Sequence, residues 1–167
     1  MAGRRTVRPL SPLGWLSAFD VGEERLDREH RKIMRDINEL TDLIFEGPSW
    51  PSVVAKCQTL AKDTIDHFST EEEVLEKTGY PQFGPHRSIH RHLRQQLDDI
   101  VGHLLRVRHA SRTDIEAALY LRSMLLDHFF RKDFAYKSHV LNVMRSSSRT
   151  ASIAAKARRY RGEENAP

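Results

Sequence analysis

Apolar side chains recur at three- and four-residue intervals through four stretches of this chain, and little of it alternates as a half-buried strand would. The pattern predicts helices. The first runs from about Asp27 to Glu46 with an inward stripe at Leu26, His30, Ile33, Ile37, Leu40 and Ile44, and Gly47-Pro48-Ser49-Trp50-Pro51 stops it. The second, with Ser52 as its expected cap, carries Val53, Cys57, Leu60, Thr64, His67, Glu71 and Val74 on one face until Gly79-Tyr80-Pro81. The third opens near Pro85 and aligns His86, His90, Leu93, Leu97, Ile100 and Leu104. The fourth starts at Ser111 or Thr113 and aligns Ala118, Leu121, Leu125 and His128. Short connections make successive helices antiparallel, so the expected fold is all-α, an up-down-up-down four-helix bundle.

The ends lack this regularity. Residues 1–14 read as a basic N-terminal extension, 15–144 as the bundle with its N-terminal arm, and 145–167 as a basic, flexible C-terminal tail rich in Ser, Arg and Ala. The net charge of +4 belongs to these ends: Arg4, Arg5 and Arg8 lie at one, and six basic against two acidic groups at the other. The bundle itself is mildly acidic, which argues against nucleic-acid binding as its main task. The tail is left as a surface for an unknown partner. No stretch approaches the ~18 apolar residues of a membrane span. The run from Leu10 to Phe19 is broken by Pro12 and Gly14 and makes a poor secretory leader, so a cytoplasmic monomer is expected. Cys57 is the only cysteine, which leaves no internal disulfide and no thiolate cluster.

The inward stripes place histidine and carboxylate where a plain bundle would place leucine. His67 and Glu71 lie four apart and share a face, and His86 and His90 repeat the arrangement. His30 adds an imidazole from the first helix, and His128 and Asp133 add an imidazole and a carboxylate from the fourth. Any one of these alone would pass for an ordinary core or surface residue. All of them facing one interior need a compensating cation, because buried carboxylates and clustered imidazoles are costly without one. Two metal ions, roughly 3.5–4 Å apart when bridged, would share these ligands. Imidazole with carboxylate and no thiolate favours iron over calcium or magnesium, and zinc or manganese could fill the same ligands. His92, His103 and His109 point away from the His86/His90 face and are expected in solvent, as are Glu72 and Glu73, although Glu72 could orient a ligand. Cys57 is expected to be a buried, inert thiol.

These motifs resemble the bacterial hemerythrins. The resemblance rests on Leu26-Asp27-x-x-His30, His67-Phe68-x-x-Glu71-Glu72, Gly79-Tyr80-Pro81 followed by His86-x-x-x-His90, and His128-x-x-x-x-Asp133, and it spans about residues 15–136 from Trp15 onward. It implies an oxo- or hydroxo-bridged di-iron centre. One iron would be held by His86, His90 and His128, the other by His30 and His67, and Glu71 and Asp133 would bridge them. It further implies that O2 binds reversibly at the open position of the two-histidine iron, for storage, delivery or sensing rather than catalysis. Residues one turn from ligands, Ile33, Phe68 and Leu125, are the expected pocket wall. Met124 adjoins them, where the family often has tryptophan. Two other functions use the same residues: a di-iron enzyme reducing peroxide or nitric oxide, and an iron- or redox-responsive interaction protein acting through the basic tail.

Overall fold

The computed structural model describes residues 11–46 and 49–163. After a short 3-10 turn at Ser17–Phe19 come α1 (Glu24–Glu46), α2 (Trp50–Lys77), α3 (Phe83–Leu104) and α4 (Arg112–His128), then a π-helical turn (Phe129–Asp133) leading into α5 (Phe134–Glu163). The fourth helical column of the bundle is therefore α4, the π-turn and α5 together. α1 packs on α2, α2 on α3 and α3 on α4, and α4 closes the ring against α1. No strand occurs among the described residues, and none of the described helices is long and apolar enough to cross a membrane.

The helix starts follow local chemistry. Gly22 has φ +91°, and a Cβ there would collide with the Leu141 side chain, so only glycine makes this entry turn. The Asp27 carboxylate accepts from the Val21 and Gly22 amides at 2.6 and 3.2 Å, fastening the arm to the first turn of α1, which starts ahead of Asp27 for that reason. Ser49, rather than Ser52, stands at the N-cap of α2, because Pro51 fits the first helical turn and draws the start forward. At α4, Ser111 and Asp114 form a capping box that satisfies two otherwise orphaned amides.

Two apolar clusters fill the bundle. The larger holds Ile37, Leu40, Cys57, Leu60, Leu97, Leu104 and Leu121. The smaller joins Val21, Leu26, Leu75, Tyr136 and Val140. In each helical column the histidines and carboxylates lie along the chain between residues of the two clusters. Burying each large aliphatic side chain contributes roughly 1.5–3 kcal/mol. Packing on both sides thus carries the cost of an ionisable layer between them.

Candidate metal centre

The polar layer is enclosed. His30, His67, Glu71, His86, His90, His128 and Asp133 are all buried, Glu71 and His90 completely. Nitrogen and oxygen atoms of Glu71, His86, His90, His128 and Asp133 lie within 4.8 Å of one another, and so do those of His30, His67, Glu71 and Asp133. The two carboxylates belong to both groups.

Each carboxylate is divided between the groups. Glu71 turns Oε1 towards His86 Nε2 in a short contact and towards His90 Nε2 at 3.5 Å, while its Oε2 stands 3.1 Å from His67 Nε2. Asp133 turns Oδ1 towards His128 Nε2 at 3.0 Å and Oδ2 towards His30 Nε2 at 3.3 Å. Proximity does not amount to hydrogen bonding throughout: both ring nitrogens of His30, His67 Nε2, His128 Nδ1, Glu71 Oε2 and Asp133 Oδ1 are buried without a hydrogen-bond partner. Such orphaned atoms are uncommon in protein interiors. Inward-facing imidazole nitrogens and carboxylate oxygens, left unpaired together, fit a bound metal.

Backbone geometry explains how one helical column delivers both His128 and Asp133. Residues five apart on an α-helix lie about 140° from each other, on different faces. The π-turn hydrogen-bonds i to i+5 and stacks the later residue over the earlier one. Asp133 thereby returns to His128. The signal in the sequence was the five-residue spacing itself, which no α-helical stripe accommodates.

Outer carboxylates set the rings. Glu29 accepts from His67 Nδ1 at 3.1 Å and Glu72 from His90 Nδ1 at 3.0 Å, leaving each Nε2 to face inward. Glu72 is itself held by Arg94 at 2.7 Å. Of these two acids only Glu72 had been singled out. Glu29, one position before His30, looks like a surface acid until α2 is laid beside α1. Trp15 stacks on His30 with ring centroids 6.4 Å apart, and Phe68 on His90 at 4.0 Å. Among the remaining residues, His103 bonds Asp114 at 2.7 Å while half exposed, His139 bonds the Thr78 carbonyl at 2.9 Å, and Cys57 is fully buried with its thiol pushed up to about 12 by burial.

Without a cation the layer polarises itself. Burial alone would lower His67, but its hydrogen bond to Glu29 and the nearby carboxylates of Glu71 and Asp133 prevail and raise it to about 9. Burial lowers His90 to about 4, helped by the neighbouring His128 and His86. Burial opposes the charge of Glu71, yet the histidines around it hold its carboxyl well below the usual range. Tyr136, fully buried, is pushed well above an ordinary phenol by burial and by Glu71 and Asp133.

A cavity of about 20 Å³ adjoins His30 and His67. Ile33, Phe68 and Leu125 line it, with Met34, Ile37, Thr64, Leu126, His128, Phe129 and Asp133 in addition. It is large enough for one water-sized molecule. Met124 does not line it. One position before Leu125, and so about 100° around the helix, Met124 faces α3 in a separate and wider groove with Ile89 and Leu93.

Comparison with known proteins agrees with this site. Residues 21–140 match the family described as the hemerythrin HHE cation binding domain. A myohemerythrin from Sipunculus nudus is 29% identical over 126 residues, covering 75% of this chain and 92% of the relative. One from Theromyzon tessulatum is 28% identical over the same shares. A bacteriohemerythrin of Pseudomonas aeruginosa is 26% identical over 137 residues, covering 81% of this chain and 86% of the relative. With the family's domain spanning the whole polar layer and both apolar clusters that enclose it, this chain belongs to the hemerythrin HHE family.

Proposed function

We propose that this chain holds two iron ions in its polar layer and binds dioxygen reversibly beside one of them. The observation that carries the reading is the division of Glu71 and Asp133, each of which turns one oxygen to His30 or His67 and the other to the group of His86, His90 and His128. Carboxylates so placed are suited to bridge two cations, and two cations offset their buried charge. His86, His90 and His128 then serve one ion, and His30 and His67 the other. When bound, the iron pair supplies the electrons that dioxygen draws on and returns when it leaves.

The chain supplies position and exclusion. Glu29 holds the proton of His67 at Nδ1, so that Nε2 stays a free donor. Ile33, Phe68, Leu125 and Phe129 wall a small space that reaches His30 and His67, where their apolar side chains would keep bulk water from a bound ligand. Having fewer imidazoles, that side is the one with coordination room. This work belongs to residues 15–144, with 1–14 and 145–167 as extensions, so a chain ending at Met144 keeps the same metal stoichiometry.

The test is metal analysis joined to optical spectroscopy of the iron-loaded, reduced protein before oxygen, after oxygen and after its removal. Two irons per chain and an oxygen-dependent visible band that disappears on deoxygenation are expected. Fewer than two ions would overturn the reading. Irreversible oxidation with turnover of peroxide or nitric oxide would replace it with an enzyme.

A further inference from the structure

His128, which lines the oxygen cavity, also borders a second and wider space. Between α3 and α4 runs a groove of about 440 Å³, within the roughly 300–1,000 Å³ typical of small-molecule sites. Ile89, Leu93 and Met124 give it an apolar floor, and the ring of His128 forms part of its wall. Tyr120 stands at the rim, 52% exposed and tied only loosely to Gln96 at 3.5 Å. A second depression of about 180 Å³ shares Ile89 and Lys132 with the first and reaches His86.

Charge selects the occupant. Asp127 is engaged by Arg131 at 2.9 Å, which leaves that pair neutral. Lys132, exposed and lining both depressions, makes no ion pair among the described residues. The rim therefore offers one uncompensated cation above an apolar floor.

We propose that this seam is a second small-molecule site that takes an amphipathic organic monoanion, its apolar body on Ile89, Leu93 and Met124 and its acid group on Lys132. The occupant touches His128 and so lies against the three-histidine side of the centre. This site is distinct from the oxygen cavity and does not depend on oxygen binding.

Octanoate and the uncharged 1-octanol are suitable probes, titrated by calorimetry into the metal-loaded full chain. Octanoate is expected to bind one per chain and more tightly than octanol. Lys132→Gln should weaken octanoate about tenfold, the scale of one charge-assisted contact, and leave octanol unchanged. Ser123→Trp, at an exposed position on the groove wall, should block both without disturbing the core. In zinc-loaded protein, methyl resonances of Ile89, Leu93 and Met124 should move on octanoate addition, while those of Ile33 and Leu126 stay. Absence of saturable binding, equal octanoate affinity in Lys132→Gln, or shifts confined to Ile33 and Leu126 would each overturn the proposal.

Discussion

Glu29 and Glu72 carry much of the precision of the centre without belonging to either ligand group. Each takes the Nδ1 proton of a buried histidine and so fixes which nitrogen faces inward. Partners of this kind typically govern metal affinity by 10–100-fold. Glu29→Ala is accordingly expected to lower metal affinity by about that factor, read by competition with a chromophoric chelator, and an unchanged affinity would mean that packing alone orients His67. The same residues predict a proton count. Metal-free His67 keeps its proton up to about pH 9, whereas His90, at about 4, is already neutral. A metal needs neutral imidazole, so loading at pH 7–8 should expel the His67 proton, measurable as buffer-dependent heat in calorimetry. Stability of the metal-free protein should follow with opposite slopes. His67, raised on folding, stabilises fully below its unfolded value near 6.5 and loses that contribution as pH rises through 9. His90, lowered on folding, stabilises above 6.5 and loses that contribution as pH falls towards 4. Urea midpoints measured with chelator present should peak near pH 6.5; a midpoint that goes on climbing from pH 6.5 to 9 would contradict the His67 assignment, and one that falls from pH 5 to 6.5 would contradict that of His90.

The π-turn is the element on which the centre's geometry turns. It lets one helical column place His128 and Asp133 together and still direct Tyr136 and Val140 into the smaller cluster with Leu26 and Leu75. Deleting Arg131, an exposed residue within it, would leave Asp133 four residues after His128, the α-helical spacing that keeps both on one face, so that the residues after it hold their directions. Tyr136 and Val140 would stay in their cluster, and a change of stability within about 1 kcal/mol is expected. Chemical denaturation of the metal-free variant reads it, and a loss of about 3 kcal/mol or more, the scale of one large side chain leaving the core, would show that the extra residue is needed to keep the register. The four apolar stripes and all seven polar positions facing inward were legible in the sequence, because a 3.6-residue period makes a histidine at a leucine position conspicuous. The π-turn was legible only as an awkward spacing. Glu29, Phe129 and the placement of Met124 were not, since each depends on how one helix lies beside another rather than on its own period. Met124 shows the limit plainly: adjacency to Leu125 in sequence suggested a shared wall, while helical rotation assigns the two side chains to different cavities.

At the scale of the molecule, the bundle consists of two apolar clusters separated by a layer that is costly without metal. Without bound metal, two buried carboxylates face five imidazoles, with several of their atoms unpaired. The ions and the fold therefore stabilise each other: whatever binds the folded chain and not the unfolded one adds RT ln(1 + [L]/Kd) to its stability. At about a thousandfold excess over Kd, one ion adds about 4 kcal/mol, and two ions about twice that. For a chain of this length each kcal/mol is worth roughly 2–4 °C of melting temperature. The metal-loaded protein should then melt roughly 15–30 °C above its chelated form. Half that rise, reached at one equivalent of iron and unchanged by a second, would indicate a single ion. Continued increase up to two equivalents would mean that each half of the divided carboxylates receives its own cation, and that the packing of α1 to α5 is completed by the metal rather than merely decorated with it.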